Sequence, residues 1–316
     1  MDNVVTSVVP LFSLIFIGFF AGKLRMMDQH AVRTLVGFVF NVAMPALIFR
    51  MMANTDIAAI DDWPVLAAYL VAQTPLFLLG MLIGSLIFRQ SFAESTIQGF
   101  GSSFSNGVIL GLPLVLSLYG DRGGVPALLI IMLDILLFST VTLLLEFATL
   151  EDRGKRTGGP LSIVRKLLLS VVRNPLVLAS VLGVGFGLSG LSLPSMIDKT
   201  LAFTGQAGPP AGLFALGATL GLRKIGGRFR PISAMVSMKL LLHPLIAWLT
   251  VTYLFGLDPL MTSVVLLFAA CPVGANVYVF AQQYEAGVET SASAVLISTA
   301  LALMTISLLV IKLNST

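Results

Sequence analysis

Ser105-Asn106-Gly107-Val108-Ile109-Leu110-Gly111-Leu112-Pro113 and Cys271-Pro272-Val273-Gly274-Ala275-Asn276 place glycine, proline and asparagine inside otherwise apolar runs. Proline lacks the amide hydrogen a helix needs and clashes with the preceding turn, and glycine lets the chain leave helical geometry. Both runs are therefore expected to break a helix. In lipid, a broken helix frees N–H and C=O groups that only protein or a ligand can satisfy, so the gap is a candidate binding site. Its candidate residues are Asn106, Gly107, Gly111, Pro113, Pro272, Gly274 and Asn276. The two asparagine amides can both donate and accept. The half-helices would aim N-terminal dipole ends at the gap, which favours an anion.

The surroundings of these runs are those of a membrane protein. Apolar residues make up 57% of the 316 and charged residues 11%, and the mean hydropathy is +0.97. A hydrocarbon layer about 30 Å thick needs roughly 20 apolar residues per crossing. Ten such spans are read: Val4–Gly22, Ala31–Met51, Trp63–Phe88, Ile97–Tyr119 and Val125–Ala148, then Pro175–Leu188, Ile197–Leu220, Pro231–Phe255, Pro259–Tyr284 and Val288–Leu313. The two broken runs fall in the fourth and ninth. Met1-Asp2-Asn3 has no basic n-region, so the first span is not read as a cleavable signal.

Basic residues set the orientation. Fourteen of the 19 Lys and Arg residues fall in loops on one side, four (Arg50, Arg122, Lys199, Lys312) on the other, and Lys239 inside a span. The rich side is expected to be cytoplasmic and both termini extracytoplasmic, in the cell membrane. The basic pI of about 9.4 follows from this loop bias, so no nucleic-acid partner is expected.

The polar stretch Glu151–Arg173 divides the chain into a first five-span repeat (1–150), a linker (151–173) and a second repeat (174–316). An offset of 165 residues aligns Pro10 with Pro175, Gly18 with Gly183, Gly22 with Gly187, Pro45 with Pro210 and Phe49 with Phe214. Five spans per repeat make the two copies enter the membrane from opposite sides. The expected fold is an all-α polytopic protein of about ten helices in two inverted repeats, with broken, crossing fourth and ninth spans. Secondary transporters are built this way, with the site near the midplane.

Ionisable side chains at mid-membrane depth are costly and mark function. Asp134, Lys239 and His243 lie mid-span, with Gln73 as a neutral companion. Asp134 is roughly 14 Å and Lys239 roughly 18 Å from the outer face at 1.5 Å per residue, so one polar cluster is expected. The repeat offset pairs Asp134 with Thr299, next to Ser298. These residues are candidates for ion or proton coupling, and Asn41 in the second span for facing the site. A buried Asp134–Lys239 pair without a coupling role is the structural alternative.

The chain has one cysteine, Cys271, and two histidines, His30 and His243. A zinc site, an H-E-x-x-H helix, a P-loop or a G-x-S-x-G elbow would need residues that are absent. No enzyme activity, metal or cofactor is expected.

Together, Asn106, Gly111, Pro113 and Leu114, Asn174-Pro175-Leu176, Pro210 through Leu220, and Pro272 through Asn276 to Tyr284 resemble the auxin efflux carrier family, whose bacterial members include malonate and malate carriers. The resemblance covers essentially the whole chain. It implies a fold similar to bile-acid sodium symporters, with spans 1, 2, 6 and 7 as scaffold and spans 3–5 and 8–10 as a moving bundle. Asn106 and Asn276 would sit where the fourth and ninth spans cross. The short linker departs from the long-loop plant exporters, so auxin is not the favoured substrate.

The expected function is secondary active transport of a small mono- or dicarboxylate such as malonate or malate, and the sequence leaves open whether a proton, sodium or no ion is coupled. A sensor that keeps the fold without transporting is the alternative, and a channel is third. The expected partners are the carboxylate and the bilayer, and a homodimer is compatible with both.

Overall fold

The structure is a computed structural model that describes residue 6 and residues 8–55, 63–152, 175–222 and 226–313. The expected linker from residue 153 onward, Asn174, Arg223, Lys224 and both chain ends lie outside the described residues. Among the described residues every regular element is a helix: α1 (Val9–Lys23), α2 (Gln29–Ala53), α3 (Trp63–Ile87), α4 (Phe92–Ser103), α5 (Gly107–Tyr119), α6 (Asp121–Asp152), α7 (Pro175–Leu188), α8 (Ser195–Gln206), α9 (Gly208–Gly221), α10 (Phe229–Phe255), α11 (Pro259–Ala270), α12 (Ala275–Gln283) and α13 (Val288–Leu313). Five of them, α2, α3, α6, α10 and α13, are long and apolar enough to cross a membrane unaided. The protein is a polytopic membrane protein.

Helix starts follow local chemistry. Asp28 caps α2 by accepting from the Ala31 amide. Ser91 and Glu94 form a capping box at α4, and Asp258 caps α11 ahead of Pro259. The outer faces are apolar: Phe16, Ile17 and Phe20 on α1, and Leu241, Leu245 and Leu249 on α10, are exposed. In water such faces would drive aggregation; here they meet lipid tails. The interior is correspondingly more polar, and α4 buries Ser95, Thr96, Gln98, Ser102 and Ser103.

Helix α1 lies along α9, and the second half of α2 lies along α7. The α1–α9 contact is backbone against backbone. A Cβ at Gly217 or Gly221 would strike the carbonyls of Ile15 or Phe19, and one at Gly18 or Gly22 those of Phe214 or Ala218. Two facing small-xxx-small pairs thus let the helices meet at their closest.

Pro75 sits inside continuous α-helix in the third span, and other span prolines go with π turns or breaks. Wide π turns at Val39–Ala43, Gly107–Gly111 and Met238–Leu242 each end two residues before Pro45, Pro113 and Pro244. The wider turn relieves the ring's clash with the carbonyl four residues back. Pro113 therefore bends the fourth span without breaking it, and the break lies upstream, between Ser103 and Gly107. The ninth span breaks between Ala270 and Ala275. The seventh span breaks as well, at Ala207 between α8 and α9, which the sequence reading did not anticipate. Pro209 and Pro210 in succession withdraw two amide donors from that turn.

Candidate functional site

The two breaks meet. Ser105 and Val273 form an antiparallel bridge, the Asn106 amide donates to the Pro272 carbonyl at 3.0 Å, and the Gly274 amide donates to the Phe104 carbonyl at 3.1 Å. Each interrupted helix thereby satisfies backbone groups of the other, which is what allows extended chain at membrane depth. A Cβ at Gly274 would run into the Phe104 ring, so this position requires glycine for the crossing to close. Helices α5 and α12 start at the crossing and α4 and α11 end there, which brings positive and negative helix ends together.

Side chains from surrounding spans hold the crossing. Ser105 Oγ donates to the Phe268 carbonyl at 2.6 Å and accepts from the Tyr69 hydroxyl at 3.0 Å. Lys239 Nζ donates to the Ala269 carbonyl, so the ammonium sits at the C-terminal, negative end of α11. Ser298 Oγ accepts from the Val273 amide at 3.1 Å. Ala269 and Val273 would otherwise leave backbone groups open at the break, and the Phe268 carbonyl, which also accepts from the Cys271 amide at 3.2 Å, gains a second donor.

Several polar groups are fully enclosed. Asn106 is 4% exposed and its Nδ2 has no hydrogen-bond partner. Asp134 is buried and its Oδ1 accepts from Gln73 Nε2 at 3.0 Å. His243 is buried against the Tyr69 ring at 5.6 Å between centroids, with neither ring nitrogen partnered. The direct Asp134–Lys239 pair, the structural alternative to a coupled cluster, does not form within 4.0 Å. Each instead takes a neutral partner, an amide for the carboxylate and a carbonyl for the ammonium.

A cavity of about 490 Å³ opens beside the crossing, a size suited to small-molecule ligands. Phe40 and Pro175, Leu176, Val177 and Ser180 of α7 form one wall; Phe104, Val108, residues of α6 from Ile131 to Thr142, and Asn276 to Tyr284 form the other. Of the expected site residues, Asn276 and Asp134 line it. Gly107 and Gly111 instead receive the Phe268 ring, and Pro113 and Pro272 are buried at the fourth and ninth spans. Gln73 reaches the cavity through Asp134. Thr299 bonds back to the Val295 carbonyl of its own helix. Asn41 is exposed and bonds back to the Gly37 carbonyl, so it does not line the cavity.

The sequence reading missed the aromatic wall. Phe104, Phe138 and Phe280 pack with centroids 4.8 to 5.6 Å apart along the Phe104–Phe138–Phe280 chain. One signal was available: Asp134, Phe138 and Thr142 recur every four residues and so share a helix face.

The chain is 28% identical over 315 residues to a Rhizobium meliloti (strain 1021) protein named "Putative malonate transporter", covering 100% of this chain and 97% of that protein. It is 23% identical over 353 residues to auxin efflux carrier component 8 of Arabidopsis thaliana, covering 96% of this chain and 95% of that protein. A further similarity, 23% over 312 residues, is to the lysosomal cholesterol signaling protein of Mus musculus, covering 93% of this chain and 35% of that protein. The family model described as membrane transport protein matches residues 3–310. A match over nearly every residue, spanning both breaks and the cavity between them, places this chain in the membrane transport protein family, to which the auxin efflux carriers belong, and makes it a membrane transporter rather than an enzyme.

Proposed function

We propose that the protein is a secondary carrier of small carboxylates, of the malonate or malate type, working by alternating access across the cell membrane with both termini outside. The observation that carries this reading is the buried, unpartnered Nδ2 of Asn106 at the crossing of two broken helices. A buried donor without an acceptor costs about 1–3 kcal/mol; a ligand carboxylate would supply that acceptor. The starts of α5 and α12 at the crossing favour the same charge. Asn276 on the cavity wall supplies a second amide.

Spans 1, 2, 6 and 7 act in this reading as the scaffold, and spans 3–5 and 8–10 as the moving bundle. The cavity's two walls follow that division, with second- and sixth-span residues on one side and fourth-, fifth- and ninth-span residues on the other. Asp134 supports proton coupling. Its carboxylate on the cavity wall repels a bound anion, and a proton carried with the substrate removes that repulsion. Lys239 argues against a need for sodium, because its ammonium occupies the carbonyl end of a broken helix where such carriers hold a coupling cation.

The similarity to the mouse lysosomal cholesterol signaling protein favours the sensor as the second reading. Proteoliposomes loaded with unlabelled malonate or malate and diluted into the radiolabelled acid separate the two. A carrier gives a saturable overshoot of label. A sensor gives saturable binding without accumulation, and a channel gives equilibration without overshoot.

A further inference from the structure

We propose that Ser105 is the positioning residue of the crossing: its hydroxyl holds the register of the antiparallel pair and thereby the face on which Asn106 presents its amide. The proposal rests on the crossing being the carboxylate site.

In extended chain, successive side chains point to opposite faces, and directly paired residues share a face. Phe104 and Asn106, with Gly274 and Pro272 opposite them, therefore form one face, and Ser105 with Val273 forms the other. Phe104 on the first face lines the cavity, and Asn106 lies enclosed beside it on the same face, which is the one the carboxylate reading gives to the ligand. The second turns into the bundle, where Ser105 meets Tyr69 of α3 and the Phe268 carbonyl of α11.

The flanking bonds, Asn106 to Pro272 and Gly274 to Phe104, are two backbone bonds about a single bridge. So short a pair has little to specify its own register, and a slip of one residue would turn Asn106 to the bundle side and Ser105 to the cavity. Ser105 opposes that slip with two bonds at once, and no apolar residue of its size offers either. Its position is fully buried, so water cannot replace them. On the partner segment the Val273 amide is held by Ser298. The two serines fix the two halves of the pair from different spans.

Ser105→Ala, Ser105→Thr and Tyr69→Phe would be reconstituted beside the unsubstituted protein. Three quantities would be read: the concentration for half-maximal malonate counterflow, the maximal rate per folded carrier, and the apparent Tm. Ser105→Ala is expected to raise the half-saturating concentration about tenfold, the scale of one lost buried hydrogen bond. Tyr69→Phe should raise it less, because Ser105 still reaches Phe268, and Ser105→Thr should restore it. A half-saturating concentration unchanged in both Ser105→Ala and Tyr69→Phe, with only Tm or rate reduced, would overturn the proposal. Should Ser105→Ala not fold, Tyr69→Phe alone decides it. Absence of counterflow in the unsubstituted protein would instead refute the carrier reading.

Discussion

Asn106 separates stability from function at a single residue. Its Nδ2 is enclosed without a partner, so Asn106→Ala removes an unmet donor as well as the proposed ligand contact. The apo protein is expected to keep its apparent Tm or gain slightly, while the rise in Tm on adding malonate disappears, because a ligand stabilises only the state it binds. A marked loss of apo stability would show instead that the amide serves the fold. Asp134→Asn keeps the shape that accepts from Gln73 but removes the charge. Uptake by the unsubstituted protein is expected to rise as the outside is acidified, since protons then enter with the anion, and the variant is expected to lose that slope. Persistent pH dependence would exclude Asp134 as the proton carrier. Both residues were legible in the sequence, Asn106 from its place beside Gly107 and Asp134 from a charge inside an apolar span. Ser105 and Phe104 were not, because their roles depend on segments more than 160 residues away, Val273 and Phe268 for one and Phe280 across Phe138 for the other.

At the scale of the helix, the sixth span ends at Leu188 and the tenth begins at Val288, where hydropathy placed them. The fate of each proline was harder to read, because residue type does not say whether a π turn will absorb the ring. Pro113 illustrates this: the helix bends through Gly107–Gly111 and the true break is upstream, where another segment supplies the lost hydrogen bonds. The Pro210–Leu220 motif illustrates a second difficulty. Its Gly217 is a helix contact, with space for a side chain closed by the Ile15 carbonyl. Gly217→Leu is expected to force α1 and α9 apart and lower the apparent Tm and the yield of folded protein in detergent, at a cost of about 1–3 kcal/mol or more for an overpacked core. Gly185→Leu is the matched control, because nothing lies within 4 Å of its added Cβ. Equal behaviour of the two variants would deny α1–α9 the tight contact.

For the whole molecule, the apolar spans and the offset of 165 residues were readable from the chain, but the direction in which the cavity opens was not, since it depends on how the spans are stacked. The cavity runs along α6 from Ile131 to Thr142 and reaches Pro175 of α7 and Tyr284 just beyond α12, so it extends toward the end of the molecule at which α12 ends. At the opposite end Met51 of α2 reaches Gly124 of α6, where a Cβ would meet its Cε, and Arg50 pairs with Asp198 at 2.8 Å. A smaller cavity of about 210 Å³ lies at that end, lined by Arg50, Met51, Asn54, Asp121 and Asp198 among others. In the proposed orientation, which rests on the basic-residue bias, the end toward which the larger cavity extends lies in the cytoplasm. In a Cys271→Ser background, single cysteines in place of Asn3, Thr142 and Arg156 test both assignments with a membrane-impermeant thiol reagent. Applied to intact cells it should label Asn3→Cys and spare Arg156→Cys, and applied to inverted vesicles it should do the reverse. Thr142→Cys should follow Arg156→Cys, and malonate should slow its labelling by filling the cavity. Labelling of Arg156→Cys but not Asn3→Cys from outside would reverse the orientation. Labelling of Thr142→Cys from the side opposite Arg156→Cys would instead put the cavity's opening at the wrong end, whichever way the protein is inserted.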